Sequence, residues 1–196
     1  MNKTIFAFLF VFSVIAGLSV NSAYAVGEES YNKGLEIFNK VNITDEEYKK
    51  AFSYFVQAAK EGNADAFFML GLYPDLGLAT RKKPEVAFMR YKRSADLGNA
   101  EAMFSVADMY MNGEGVDHDV DEAVSWFEKA ALKGNAEAAY NLGAMYRMGI
   151  GVKHDAKKSR YWFDESYRLG NPTALFVAER YAPVTLYRRI DRSLKK

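Results

Sequence analysis

His118 and His154 are the only imidazoles in the chain, so acid–base chemistry near neutral pH, or metal ligation through nitrogen, would have to start from them. A zinc site needs three or four convergent ligands. Two loop histidines 36 residues apart do not supply them unless Asp117, Asp119 or Asp155 turns inward, so no metal or other cofactor is expected. Cysteine is absent, which removes thiol nucleophiles, thiolate metal sites and disulfides together. The adjacent carboxylates Glu28 and Glu29, and Glu46 and Glu47, sit where helices begin. There the positive end of the helix dipole accounts for them without acid–base catalysis. Gly113-Glu114-Gly115 follows no apolar strand, so its glycines read as a turn and not as a nucleotide loop. With no nucleophile elbow, phosphate-cradling loop or zinc-protease helix, no catalytic residue is expected, and the chain reads as non-enzymatic.

Composition narrows the partners. The 196 residues hold 26 Lys plus Arg against 25 Asp plus Glu, with 49% hydrophobic and 15% aromatic residues. That excludes a disordered polyelectrolyte and gives no global electrostatic reason to expect nucleic acid. Residues 1–25 carry one charge, Lys3, then an apolar run over 5–20 and the small residues Ala23 and Ala25. This reads as a signal peptide cleaved after Ala25, leaving a periplasmic protein with no stable membrane insertion. An uncleaved anchor is the alternative, because the run approaches the roughly 17 residues that can span a bilayer. Asn42-Ile43-Thr44 matches a glycosylation acceptor, but Thr44 with Glu47 also forms a helix-start capping box, which is the reading preferred here.

The elements that position all these groups recur. Gly62-Asn63, Gly98-Asn99, Gly134-Asn135 and Gly170-Asn171 are spaced by 36 residues. Phe55, Tyr91, Phe127 and Phe163 precede the glycine by seven, while Ala66, Ala102, Ala138 and Ala174 follow it by four. A fixed period of this length marks stacked supersecondary units, each too small to bury its own apolar face. Before each glycine, segments such as 121–133 place Ala123, Trp126, Phe127, Ala130 and Ala131 on one helical face. Glycine then ends the helix in the left-handed region and asparagine caps the next. Gly149-Ile150-Gly151-Val152, matched by Gly113-Glu114-Gly115-Val116, reads as a tight reversal, after which Asp155 and Asp119 cap the following helix.

On Ala138, Leu142, Gly143, Tyr146, Gly149, Gly151, Val152, Asp155 and Trp162, and on Ala130, Ala131 and Gly134, the chain resembles the Sel-one-like repeat family, relatives of tetratricopeptide repeats. The copy near Asn63 departs most. It carries Pro74 in the helix end and Arg81-Lys82-Lys83 where Gly-Val and Asp are expected. Its connecting loop therefore departs in sequence from those of the other copies, and these residues do not decide whether its turn is regular. The resemblance implies an all-α, right-handed α-α superhelical solenoid over residues 28–182. A degenerate first repeat takes 28–62, repeats follow at 63–98, 99–134 and 135–170, and a final half repeat takes 171–182. A basic capping helix or tail over 183–196 closes the chain, with contact to an anionic surface as its alternative role.

The same resemblance implies non-catalytic binding of a protein partner in a concave groove lined by the first helix of each pair. Mapped residue by residue, it places an aromatic column of Tyr31, Phe68, Phe104, Tyr140 and Phe176 there. Packing between helices explains such rings equally well. The copy-to-copy variable positions Leu72, Asp108, Met111, Asn112, Arg147, Met148 and Arg180 complete the expected face. Three functions follow: an adaptor or scaffold of the cell envelope, an immunity protein that neutralises a secreted toxin such as a phospholipase effector, and a hydrolase with an unrecognised site.

Overall fold

The computed structural model describes residues 27–180; the segment 1–25 expected to be a signal peptide and the basic segment 183–196 lie outside the described residues. Among the described residues every regular element is an α-helix. The chain divides into two compact units, the first ending at Leu97 and the second beginning at Gly98. In the first, α1 (Glu28–Phe38) pairs with α2 (Asp45–Lys60) and α3 (Ala64–Leu76) pairs with α4 (Pro84–Asp96), while α2 packs on α3. In the second, α5 (Ala100–Asn112) pairs with α6 (Val120–Leu132) and α7 (Ala136–Met148) pairs with α8 (Ala156–Arg168). There α6 packs on α7, and α8 carries α9 (Pro172–Arg180).

The Gly-Asn joint both closes one helix and opens the next. At the end of α6, the Asn135 N–H donates to the Ala130 carbonyl at 3.0 Å and the Gly134 N–H to the Ala131 carbonyl at 2.9 Å, a Schellman closure. Asn135 then accepts at its side-chain oxygen from the Ala138 N–H at 2.7 Å, which caps α7. Asn63 and Asn99 cap α3 and α5 in the same way, at 2.8 and 2.6 Å. Each cap is worth about 1 kcal/mol. Gly98 shows why glycine is needed: its φ is +100°, while a Cβ there would meet nothing within 4 Å. Backbone conformation alone fixes the residue. The capping box expected at α2 is present, with the Glu47 N–H donating to Thr44 Oγ1 and the Thr44 N–H donating to Glu47 Oε2 at 3.0 Å.

Between α3 and α4 the altered positions of the repeat are Ala79, Thr80 and Lys83, not Arg81 and Lys82. Counting by 36 from Gly149-Ile150-Gly151-Val152 gives Gly77-Leu78-Ala79-Thr80, and the Asp155 position falls on Lys83; Arg81 and Lys82 are plain loop residues. The backbone is nevertheless that of the other copies. Gly77, Gly113 and Gly149 end their helices at φ of +70°, +67° and +72°. The Lys83 N–H donates to the Pro74 carbonyl at 2.8 Å, just as Asp119 bonds Tyr110 at 3.0 Å and Asp155 bonds Tyr146 at 2.9 Å. Ala79 holds φ +48° where Gly115 and Gly151 stand. The turn is specified by its hydrogen bonds and its first glycine, so it survives the loss of its second.

The core is small side chains at the helix contacts and rings between them. Ala66, Ala102, Ala138 and Ala174 are all fully buried. Serine replaces alanine at two contact positions without leaving a polar atom stranded. Ser94 and Ser166, both fully buried, donate to the Ala64 and Ala136 carbonyls at 2.7 Å. Ser166, one period after Ala130, is thus a satisfied variant of the same contact.

Candidate functional site

The first helix of each pair presents a small residue on which a ring of the second helix lies. In α1, α3 and α7 it is glycine. A Cβ added at Gly34, Gly71 or Gly143 would come within 2.6, 2.4 or 2.9 Å of the Phe55, Tyr91 or Phe163 ring. In α5 the same place holds Ala107, itself fully buried. This close approach determines where the expected aromatic column goes. Tyr31 lies 5.8 Å from Phe55 between ring centroids, Phe68 lies 5.4 Å from Tyr91, Phe104 lies 5.7 Å from Phe127, and Tyr140 lies 5.3 Å from Phe163. Each ring of the column packs on its own pair. Phe68 is buried and leaves the proposed face, whereas Tyr31, Phe104 and Tyr140 stay half-buried and keep one edge at the surface. Burial, with Asp65 nearby, pushes the Tyr31 hydroxyl well above the usual tyrosine range, so it remains a neutral donor.

The variable positions divide in the same manner. Arg147 is half-buried, with its guanidinium 5.8 Å from the Phe163 centroid, so Tyr140, Gly143, Phe163 and Arg147 form one cluster between α7 and α8. One period before Met111 and two before Arg147 stands Asp75, which accepts from the Tyr91 hydroxyl at 2.8 Å. Variation at this position is partly matched to the ring that the second helix offers: a carboxylate under a phenol, a guanidinium over a phenyl. Leu72 and Met111 are half-buried. Asp108 and Asn112 are exposed, and Met148 is 57% exposed. These last three, all in the second unit, are the expected binding residues that face solvent most fully. The side chains of Phe176 and Arg180 lie outside the described residues. Glu101 of α5 has a side-chain hydrogen bond with Asn135, the residue that caps α7. Desolvation raises the Glu101 carboxyl above its usual range, and the Asn135 bond opposes that rise. Among the described residues no group of three or more His, Cys, Asp or Glu converges to hold a metal.

A family model described as Sel1 repeat matches residues 20–63, 64–99, 100–135 and 136–171. The chain belongs to the Sel1 repeat family. Solved structures agree with this architecture. A Sel1 repeat protein from Oxalobacter formigenes superimposes with a TM-score of 0.70 and 26% identity, over 76% of this chain and 59% of that one. The protein c5321, a protective antigen present in uropathogenic Escherichia coli strains, gives 0.68 and 28%, over 76% of this chain and 32% of that one. The chain therefore spans well under two thirds of the length of either. Cysteine rich protein B of Helicobacter pylori, at 0.56 and 21% identity, covers 69% of this chain and 98% of its own and shares the fold. No curated protein matches the sequence. The all-α class of stacked helix pairs expected from the period is the class of this chain, and the Sel1 repeat fold suggests protein–protein interaction.

Within the second Sel1 repeat, residues 64–99, the structure shows groups that the sequence reading missed. Pro74 lies inside α3 and has no N–H for the Leu70 carbonyl one turn earlier. The Arg90 guanidinium supplies the missing donor, at 2.7 Å from that carbonyl, and stands 5.4 Å from the Phe52 centroid. The signal was present in the sequence. Arg90 occupies the register position of Trp126 and Trp162, and Pro74 that of Tyr110 and Tyr146, so two aromatic positions are lost together in one repeat.

Proposed function

We propose that this Sel1 repeat protein is a non-catalytic adaptor of the bacterial cell envelope, exported to the periplasm, that binds a protein partner through the first helices of its second unit. The observation that carries the reading is the trio Asp108, Asn112 and Met148. These side chains face solvent on the helices that the family resemblance assigns to the groove, they differ from the residues one period away, and Met148 leaves a large apolar side chain in water. Phe104 and Arg147 contribute what their packing leaves at the surface.

Since Phe104 and Arg147 also pack against the second helices, the informative variant is confined to the exposed trio. Asp108→Lys, Asn112→Lys and Met148→Glu together are expected to remove the partner from crosslinked envelope fractions while leaving helical circular dichroism unchanged. A resident envelope protein, captured one-to-one by the parent and missing from the variant, supports the adaptor. The same proteins captured by both would place the binding elsewhere. Capture of a secreted effector, with protection of cells only under attack, would replace the adaptor with an immunity role.

A further inference from the structure

The first unit contains a cavity of about 330 Å³ between α2, α3, α4 and the loop joining the last two. Its walls are apolar, formed by Phe52, Tyr73, Pro74, Leu78 and Val86. Three cations reach it, Lys49, Lys83 and Arg90, and no carboxylate among the described residues lines it. Lys49 is already paired with Glu46 at 2.6 Å. Lys83 and Arg90 are then the basic lining residues available to an anion. Arg90 has one donor engaged by Leu70, and a guanidinium carries five.

The register of the repeat shows which side chains differ beside this space. By register, Pro74 stands where the fourth repeat has Tyr146, whose ring is buried with the Lys158 ammonium 4.9 Å from its centroid. Arg90 stands where the third repeat has Trp126, also buried. Two large aromatic side chains are thus replaced by a small ring and by a cation drawn aside to Leu70. Lys83 replaces the capping aspartate found at 119 and 155, which reverses the sign of charge at the rim. The same repeat thus loses two aromatic side chains and gains a cation at a capping position.

We infer that this cavity binds a small apolar monocarboxylate, its hydrocarbon body between Phe52, Tyr73 and Val86 and its carboxylate against Lys83 and Arg90. The volume is that of a small-ligand pocket, mostly apolar with a few polar groups that fix orientation. A carboxylate meeting a guanidinium and an ammonium over apolar walls gains charge-assisted hydrogen bonds that an alcohol of the same length cannot match. The cavity lies wholly within the first unit, so this inference does not depend on the partner-binding face.

Decanoate, titrated below its micellar concentration and followed by methyl shifts of Leu78, Ala79 and Val86, tests it. Decanol and decyltrimethylammonium serve as neutral and cationic controls. Decanoate is expected to bind at least about tenfold tighter than either control. Lys83→Asp restores the residue that other repeats use and is expected to keep the fold while weakening decanoate by about tenfold or more. Pro74→Tyr, which puts a phenol ring in place of a cavity-lining proline, is expected to abolish the shifts, with circular dichroism confirming that it folds. Equal binding of decanoate and decanol, or unchanged binding by the Lys83→Asp protein, would overturn the site, and the second result does so even if Pro74→Tyr does not fold.

Discussion

Ala79 is where the sequence and the backbone disagree most directly. A residue with a Cβ sits at φ +48° in a turn whose other copies use Gly115 and Gly151. The left-handed region costs a non-glycine residue about 1 to 2 kcal/mol, and the turn persists because the Lys83–Pro74 hydrogen bond and Gly77 hold it from both sides. Ala79→Gly should therefore raise unfolding free energy, less the roughly 0.5 to 1 kcal/mol by which glycine loosens the unfolded chain. The expected net gain is a few tenths of a kcal/mol up to about 1 kcal/mol, measured by urea denaturation at unchanged m-value. A loss of stability would mean that the methyl makes a contact outweighing its strain. Residue identity was legible here only through the register. Aligned on its hydrogen-bonded frame, the repeat is altered at Ala79, Thr80 and Lys83, and the charges of Arg81 and Lys82 lie between them and obscure the match.

Among elements, α3 is the helix whose composition argues against it and whose surroundings rescue it. An interior proline removes one helical hydrogen bond and crowds the carbonyl four residues back, at a cost of about 3 kcal/mol in an isolated helix. In α3 that carbonyl, Leu70, receives the Arg90 guanidinium at 2.7 Å, across the pair from α4. Arg90→Met should then destabilise the protein by about 1 to 3 kcal/mol, the range for leaving a buried acceptor short of a donor. In a Pro74→Ala background, where residue 74 regains its N–H, the same substitution should cost distinctly less. The coupling, read from a double-mutant cycle in denaturant, is expected to be on the order of 1 kcal/mol, and additive effects would show that Arg90 acts through Phe52 or solvent instead. Helices α3, α5 and α7 were legible because Asn63, Asn99 and Asn135 announce their starts and Gly77, Gly113 and Gly149 their ends. The Arg90–Leu70 bond was not, because it joins residues 20 apart in sequence and is made by the one repeat that departs from its siblings.

At the scale of the whole molecule, a repeat tells the reader most about what its copies share, which is packing, and least about what one copy does alone. That asymmetry explains why the helix pairs could be read from Gly-Asn spacing while the aromatic column was ambiguous. Tyr31, Phe104 and Tyr140 recur because Phe55, Phe127 and Phe163 recur opposite them, and recurrence cannot also report a partner. Function is better sought at exposed departures from the register, namely Asp108, Asn112 and Met148 in the second unit and Lys83 in the first. The export reading is another non-repeating feature, carried by residues 1–25 alone. Removing that segment loses Lys3 and leaves 25 basic and 25 acidic residues, so processing should bring the formal charge from +1 to zero. In cells the chain is expected to accumulate in the periplasmic fraction with Val26 as its first residue, as read by intact mass and N-terminal sequencing. Ala25→Leu, which replaces the small residue that processing requires, should leave the unprocessed chain with the inner membrane. If the parent chain instead keeps its first 25 residues, the long apolar run is an anchor, and an envelope adaptor would have to work tethered to the membrane.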